Sequence, residues 1–269
     1  KILMPVLLVL LLILVVRVSW LDGAFSGYMF LFQPDWSCLT PKVVLDAMGQ
    51  CFYSLSIGMG ALITYGAYMP RDVRIARVST QVVVLDTVAA LLAGCAIFPA
   101  VFAFGFAPEQ GPKLVFEMIP LVFNQMAGGR WFSMLFFALL VIAAITSAAS
   151  LIEVLTASLV DLSSKGKHPL SRHRSLVICG GLCLGVALVC VVSGGVLDWT
   201  DRLTSTCTLP LIALGTVIYF GWFVNSPIIT DELGGIRAGK WLIPLYRFLI
   251  RWFIPVVVLL IFLNGIGVV

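Results

Sequence analysis

Charge is what this chain has least of: only 11% of its 269 residues are Asp, Glu, Lys or Arg, where soluble domains carry about 25%. Histidine occurs twice, as His168 and His173. Both sit in a basic stretch without a carboxylate or cysteine neighbour and read as solvated loop residues. There is no Ser-His-Asp spacing, no H-E-x-x-H pair and no glycine loop of the phosphate-cradling kind. Acid–base, nucleophilic and metal-assisted catalysis therefore lack their side chains, and the chain does not read as an enzyme. The seven cysteines, at 38, 51, 95, 179, 183, 190 and 207, show no paired metal spacing and lie mostly inside apolar runs. They read as small hydrophobes. No low-complexity segment and no short repeat divides the sequence, so residues 1–269 read as one domain.

What the chain has is apolar length. Hydrophobic residues make up 61% and the mean hydropathy is +1.09, which places it in a lipid bilayer as an integral membrane protein. Its net charge of +4 sits in basic loops; it speaks to topology, and nucleic acid is excluded as a partner. Seven spans are expected: Ile2 to Trp20; a run from Val43 to Tyr68; about Gln81 to Phe106; about Trp131 to Leu162; Ser175 to Gly195; Trp199 to Val224; and Trp241 to Val269. Leu21 to Lys42 reads as a polar loop containing Gly, Asp and Pro. The stretch from Ala107 to Arg130 is too apolar for a simple linker, and a short helical hairpin dipping toward the bundle is expected there. The fourth span is too long for a perpendicular crossing and must tilt or project.

Loop charges give the orientation. Lys1, Arg71, Arg74, Arg77, Lys165, Lys167, Arg172, Arg174, Arg237 and Lys240 fall on one side, and Lys42, Lys113, Arg130 and Arg202 on the other. Ten against four puts residue 1 in the cytoplasm by the positive-inside rule. Seven crossings then leave the C-terminus of this chain outside a cell inner (plasma) membrane.

The informative run is Gly49 to Tyr68, GQCFYSLSIGMGALITYGAY. Its centre, Ser54-Leu55-Ser56-Ile57-Gly58-Met59-Gly60, is poor material for a continuous helix. Serines offer the backbone competing hydrogen bonds, and two glycines at i, i+2 loosen it. Backbone unwinds at membrane depth only where it is buried in protein or lines a watery cavity. Half-helix ends there carry partial charges that attract ions, and such breaks mark ligand sites in secondary transporters. The plainer reading is a close-packed helix with small-residue contacts.

The wording of that run, GQCFYSLSIGMGALITYGAYMP, resembles the sixth membrane helix of the neurotransmitter:sodium symporter family, in its prokaryotic, LeuT-like, amino-acid-transporting branch. The shared pattern is G-Q-x-F-[FY]-[ST]-L-S-x-G-x-G-x-x-[IL]-T-Y-x-[AS]-Y. The resemblance extends to Lys1-Ile-Leu-Met-Pro5, Gln125-Met-Ala-Gly-Gly129 and Ala144-Ile-Thr-Ser-Ala148, and thins out after about Trp199. It implies an all-α membrane protein of the LeuT-like inverted-repeat type. It aligns residue 1 with the start of the family's fifth helix, so that the second five-helix repeat is complete and most of the first absent. The chain would then be the back portion of a longer transporter, partnered by missing N-terminal helices of the same protein.

The resemblance also implies roles. Tyr53 matches the aromatic lid over the substrate, Ser54 a ligand of the first sodium ion, and Ser56 and Met59 the substrate pocket, to which Ser147 is added. Many relatives carry an aromatic where Met59 stands. Ala143, Thr146 and Ser147 share one helix face at i, i+3 and i+4 and match the second sodium site; a Thr-Ser pair otherwise commonly bonds back to the preceding turn. Asp201 matches the external gate carboxylate, with Gln50 beside it, against the plainer reading of an exposed loop acid. Asp161 matches the internal gate acid, with Tyr68 beside it. Glu153 has no family role and is expected to face inward toward a partner.

Asp86 stands about one turn into the third expected span. Register on Gly94 aligns it with the asparagine of the family's first sodium site, whereas register on Pro99 aligns Leu85 there. Animal members need chloride beside that sodium, and prokaryotic members generally place a fixed acid on this helix; Asp86 is expected to supply it. Sodium ions are thus the coupling ions, and the substrate expected is an amino acid or related amine. The alternative is a non-transporting membrane scaffold or degenerate transporter fragment. A channel of related fold is disfavoured by acids at both gates.

Overall fold

The computed structural model describes residues 3–70, 72–106, 113–164, 166, 169–224 and 239–267. The expectations placed on Lys1, Arg71, residues 107–112, Lys165, Lys167, His168 and the connection 225–238 lie outside the described residues. All regular structure among the described residues is helical. Five helical stretches are long and apolar enough to cross a membrane: Ile75–Ala103, Gly129–Ser164, Arg172–Val192, Gly194–Phe223 and Ile243–Gly265. Their large apolar side chains are mostly exposed, as suits a lipid solvent. In that solvent close packing, rather than water exclusion, holds helices together.

The chain divides into two compact units, Lys1–Trp36 with Val84–Ala149, and Ser37–Val83 with Ser150–Val269. In the first, α1 (Leu3–Ser19) turns through 117° into a second helix, α2 (Ala24–Phe32). The expected polar loop of Leu21 to Lys42 is corrected here. Asp22, Gly23 and Pro34 mark the ends of the apolar run AFSGYMFLF and not a continuous loop; Gly23 takes the left-handed conformation at the turn. The first unit's core joins Leu11, Leu14 and Val18 of α1 to Ala100 and Val101 of α5 (Ile75–Ala103) and to Ile119, Val122 and Phe123 of α6 (Ile119–Gln125). A π-helical turn, Leu114–Met118, leads directly into α6. Of the expected hairpin the described residues hold this one arm, and its apolar face is buried in the unit as anticipated. α7 (Gly129–Ser164) runs 36 residues, about 54 Å at helical rise, and must tilt or project.

In the second unit, α3 (Pro41–Ser54) starts where Thr40 accepts a hydrogen bond from the Val43 amide and Pro41 fills the first turn. α4 (Ala61–Tyr68) follows after a break. α8 (Arg172–Val192) is capped by Ser171, which accepts from the Arg174 amide. The next span begins at Gly194 rather than Trp199: α9 (Gly194–Leu203), a π-helical turn Thr204–Thr208, α10 (Leu209–Ile218) and a second π turn Tyr219–Phe223 run on without interruption. Asp201 is therefore a helical residue and not a loop acid. The Gly194-Gly195 pair, which reads as the end of the previous span, opens this one instead. The last span is α11 (Gly239–Phe248), a π turn Leu249–Phe253 and α12 (Ile254–Gly265).

Candidate substrate and ion site

The run around Ser54 to Gly60 is unwound, as its composition predicts. α3 stops at Ser54 in a Schellman arrangement: the Ile57 amide donates to Phe52 O at 2.9 Å and the Ser56 amide to Tyr53 O at 3.1 Å. Ser56 holds the left-handed position of that motif at φ 54°, a place usually given to glycine, and is the one non-glycine with positive φ among the described residues. Strain of about 1 kcal/mol at such a residue persists only where the surroundings hold it. Gly58 at φ 84° and Gly60 at φ 76° continue the irregular path. A Cβ on Gly58 would stand 2.6 Å from the carbonyl oxygen of Leu209, so the break is pressed against α10. The last carbonyls of α3 are thus better satisfied than an uncapped end. α4 begins with no side-chain cap at Gly60.

Two clefts flank the break within the second unit. One, about 410 Å³, lies along α3 and is lined by Asp46, Gln50, Tyr53, Asp201, Ser205 and Asn264 among others. It brings together Gln50 and Asp201, the two residues matched to the outer gate, with Tyr53, matched to the aromatic lid over the substrate. The π turn at Thr204–Thr208 supplies its hydroxyls. The Asn264 amide donates to the Asp46 carboxylate at 2.7 Å and ties α12 to α3. Neither residue stands out in the sequence; 218 positions separate them, and each alone is an ordinary polar residue near a helix end.

The second cleft, about 430 Å³, lies along α4 and the end of α7 and includes Tyr68, Glu153, Asp161 and Arg172. The Tyr68 hydroxyl donates to Glu153 Oε1 at 3.0 Å, and Arg172 pairs with the same oxygen at 2.8 Å. Tyr68 and Asp161 thus line one cleft, and Glu153 holds Tyr68 and Arg172 as partners. Among the described residues this is the one ion pair.

In the first unit, Thr146 donates its hydroxyl hydrogen to Ala143 O at 2.9 Å and to Ile142 O at 3.1 Å. Back-bonding of this kind uses the proton and leaves the hydroxyl oxygen as an acceptor. Ala143, Thr146 and Ser147 share the face expected of them. Ser54 and Asp86 belong to different units, each described by itself, as do Ser147 and the Tyr53–Met59 stretch. Asp86 is eleven residues along α5 from Ile75, about 16 Å. α5 itself starts at Ile75, ahead of Gln81. No group of three or more His, Cys, Asp or Glu side chains suited to a metal occurs among the described residues.

An all-helical membrane protein with a helical run broken at Leu55–Gly60, and polar clefts on either side of the break, has the form of a secondary-transporter bundle. The model of the Sodium:neurotransmitter symporter family matches residues 1–269, and the chain belongs to that family. It is 34% identical over 279 residues to the uncharacterized sodium-dependent transporter YhdH of Bacillus subtilis (strain 168), covering 99% of this chain and 61% of that protein. To the human sodium- and chloride-dependent creatine transporter 1 it is 27% identical, covering 96% of this chain and 42% of that one. The crystal structure of MhsT in complex with L-phenylalanine superposes with a TM-score of 0.82 at 37% identity, covering 98% of this chain and 62% of that one. The chain thus spans about three-fifths of the first of these relatives. The fold is the LeuT-like bundle of MhsT, and the family is one of transporters rather than enzymes.

Proposed function

We propose that this chain is the substrate- and gate-bearing part of a sodium-coupled symporter for amino acids or related amines, working by alternating access. The observation that carries this reading is the break at Leu55–Gly60, held by Ser56 in a left-handed conformation against α10. Across six residues it sets the carbonyl end of one half-helix near the amide end of the next. The amide end of α4, which has no side-chain cap, carries partial positive charge that complements a substrate carboxylate, which supports an amino acid over a simple amine. Tyr53, Ser54, Ser56 and Met59 would line the substrate, with Ser147 from α7. Methionine gives a softer and more adaptable wall than an aromatic.

Sodium is read as the driving ion. Oxygen ligands suit a hard cation, and the two sets offered are Ser54 with Asp86, and Ala143 O with the hydroxyls of Thr146 and Ser147. The cleft of Gln50, Tyr53 and Asp201 serves as the outer gate. The cleft of Tyr68, Asp161 and Glu153 serves as the inner one. Coupling needs no covalent step: bound sodium and substrate favour one arrangement of the half-helices over the other by their differential affinity. The N-terminal helices of the relatives would supply the remaining ligands, and the positive-inside count supports a cytoplasmic inner gate in a cell inner membrane.

The test is a thermal-shift screen of the full-length protein against the common amino acids, with sodium and with potassium, followed by uptake of whichever stabilises it. Stabilisation by an amino acid that needs sodium supports the reading. A full-length protein that no amino acid stabilises and that takes up none overturns it in favour of a membrane scaffold.

A further inference from the structure

We propose that the surface where the π turn Tyr219–Phe223 meets the π turn Leu249–Phe253 binds the headgroup of an anionic phospholipid through Arg247 and Arg251. The sequence carries a conflict at this place. Ile243–Gly265 is apolar and long enough to cross a membrane, yet it carries two arginines at i, i+4, which share one helix face. Arg251 lies eight residues inside that window, about 12 Å along the axis. A guanidinium at that depth reaches the interface by snorkelling, or draws an anion to itself. Both arginines are exposed, and among the described residues neither pairs with a carboxylate.

Local packing restricts snorkelling. Arg251 stands over the Trp222 ring at 5.9 Å, and Trp222 meets Trp252 edge to face at 6.0 Å. The two π turns come close because residue 221 is glycine: a Cβ there would lie 3.1 Å from Ile250 O. The guanidinium is thereby laid against an aromatic wall while its edge N–H donors remain available. Stacking on a ring and forked donation to phosphate use different parts of the group. Arg247, one turn nearer the membrane edge, adds a second cation on the same face.

The occupant is a lipid rather than a free anion because of what surrounds the arginines. Tyr219, Phe223, Phe248 and Trp252 are all more than half exposed, a dense set of amphipathic and apolar rings of the kind found at a bilayer interface. Phosphate engages the arginines, and acyl chains lie along the rings.

The test uses the full-length protein, delipidated in mild detergent and offered mixed micelles containing phosphatidylglycerol or phosphatidylcholine, with retained lipid counted by native mass spectrometry. Wild type should retain phosphatidylglycerol with a preference of roughly tenfold or more, given two arginines near the surface. R247Q/R251Q should bring it down to the phosphatidylcholine level, while R247K/R251K, which keeps the charge and loses the fork, should retain part of it. A thermal shift of wild type specific to phosphatidylglycerol reads the same preference without any variant. Equal retention of the two lipids by wild type overturns the proposal, as does an undiminished preference in R247Q/R251Q. Displacement of the lipid by millimolar inorganic phosphate would also overturn it, making this a site for the free anion.

Discussion

One carboxylate oxygen of Glu153 receives both the Tyr68 hydroxyl, at 3.0 Å, and the Arg172 guanidinium, at 2.8 Å. This shared acceptor links the end of the broken helix to the start of α8 through the C-terminal half of α7. The Arg172 side chain is 71% exposed and that of Glu153 23%, so the pair contributes no more than about 1 kcal/mol to stability. Its weight in the proposed inner gate is in which contacts hold and which release.

Glu153→Gln separates the two roles. The amide oxygen still accepts from Tyr68, but the charge facing Arg172 is gone. Melting temperature should move by no more than about 4 °C, while uptake by the full-length protein should fall several-fold. Tyr68→Phe, which removes the donor alone, should act in the same direction and add little to Glu153→Gln. A large loss of stability with unchanged uptake would remove Glu153 from the gate and leave it as a fold contact.

The glycines of the break make a graded pair. Gly58→Ala adds a Cβ 2.6 Å from the backbone oxygen of Leu209 at a φ of 84°. Backbone cannot swing aside as a side chain can, so strain adds to the left-handed penalty of about 1–2 kcal/mol. Gly60→Ala meets only the Val154 side chain, at 3.3 Å, and should incur little beyond that penalty. Gly58→Ala should therefore melt well below Gly60→Ala and abolish uptake, whereas Gly60→Ala should retain part of it. Equal melting of the two variants would show that the break is free to relax away from α10.

The contrast between what sequence revealed and what it hid follows from the range of the interactions. The break was legible because its cause is local: Ser, Gly and their spacing act on their own backbone. The helix α2 was not, since Asp22, Gly23 and Pro34 punctuate both loops and sharp helix corners. Gly194-Gly195 likewise reads as an end when it is a beginning. Glu153 could be flagged as a membrane acid in need of a partner, but Tyr68 is 85 positions away. No periodicity carries that pairing. Asp46 with Asn264 is the same case at longer range.

The proposed sodium site on α7 predicts a loss of coupling without a loss of fold. Thr146→Val with Ser147→Ala removes two hydroxyl oxygens and replaces them with apolar groups of similar shape. Thr146 bonds within its own helix, to Ala143 O and Ile142 O, and those carbonyls keep their place in the helical ladder. The stability change should stay near 1 kcal/mol. Sodium-stimulated uptake by the full-length protein should disappear at normal expression. Uptake that keeps the wild-type sodium dependence would remove these residues from the ion's shell.

Asp86 carries the last prediction. An acid about 16 Å along a helix that crosses the membrane is expensive enough there that it is rarely idle. A fixed negative charge at that depth can balance a sodium ion held by Ser54 and neighbouring oxygens, and a mobile anion becomes unnecessary. Transport by the full-length protein should therefore be the same in chloride and in gluconate. Asp86→Asn and Asp86→Ser keep a polar side chain and delete the charge, so sodium-driven uptake should fall at least tenfold in gluconate, about 1.4 kcal/mol of lost stabilisation. If the charge is what matters, chloride should restore part of the uptake in Asp86→Ser, whose smaller side chain leaves room for an anion. A wild type that already needs chloride, or variants that transport as well as wild type in gluconate, would show that the balancing charge lies elsewhere.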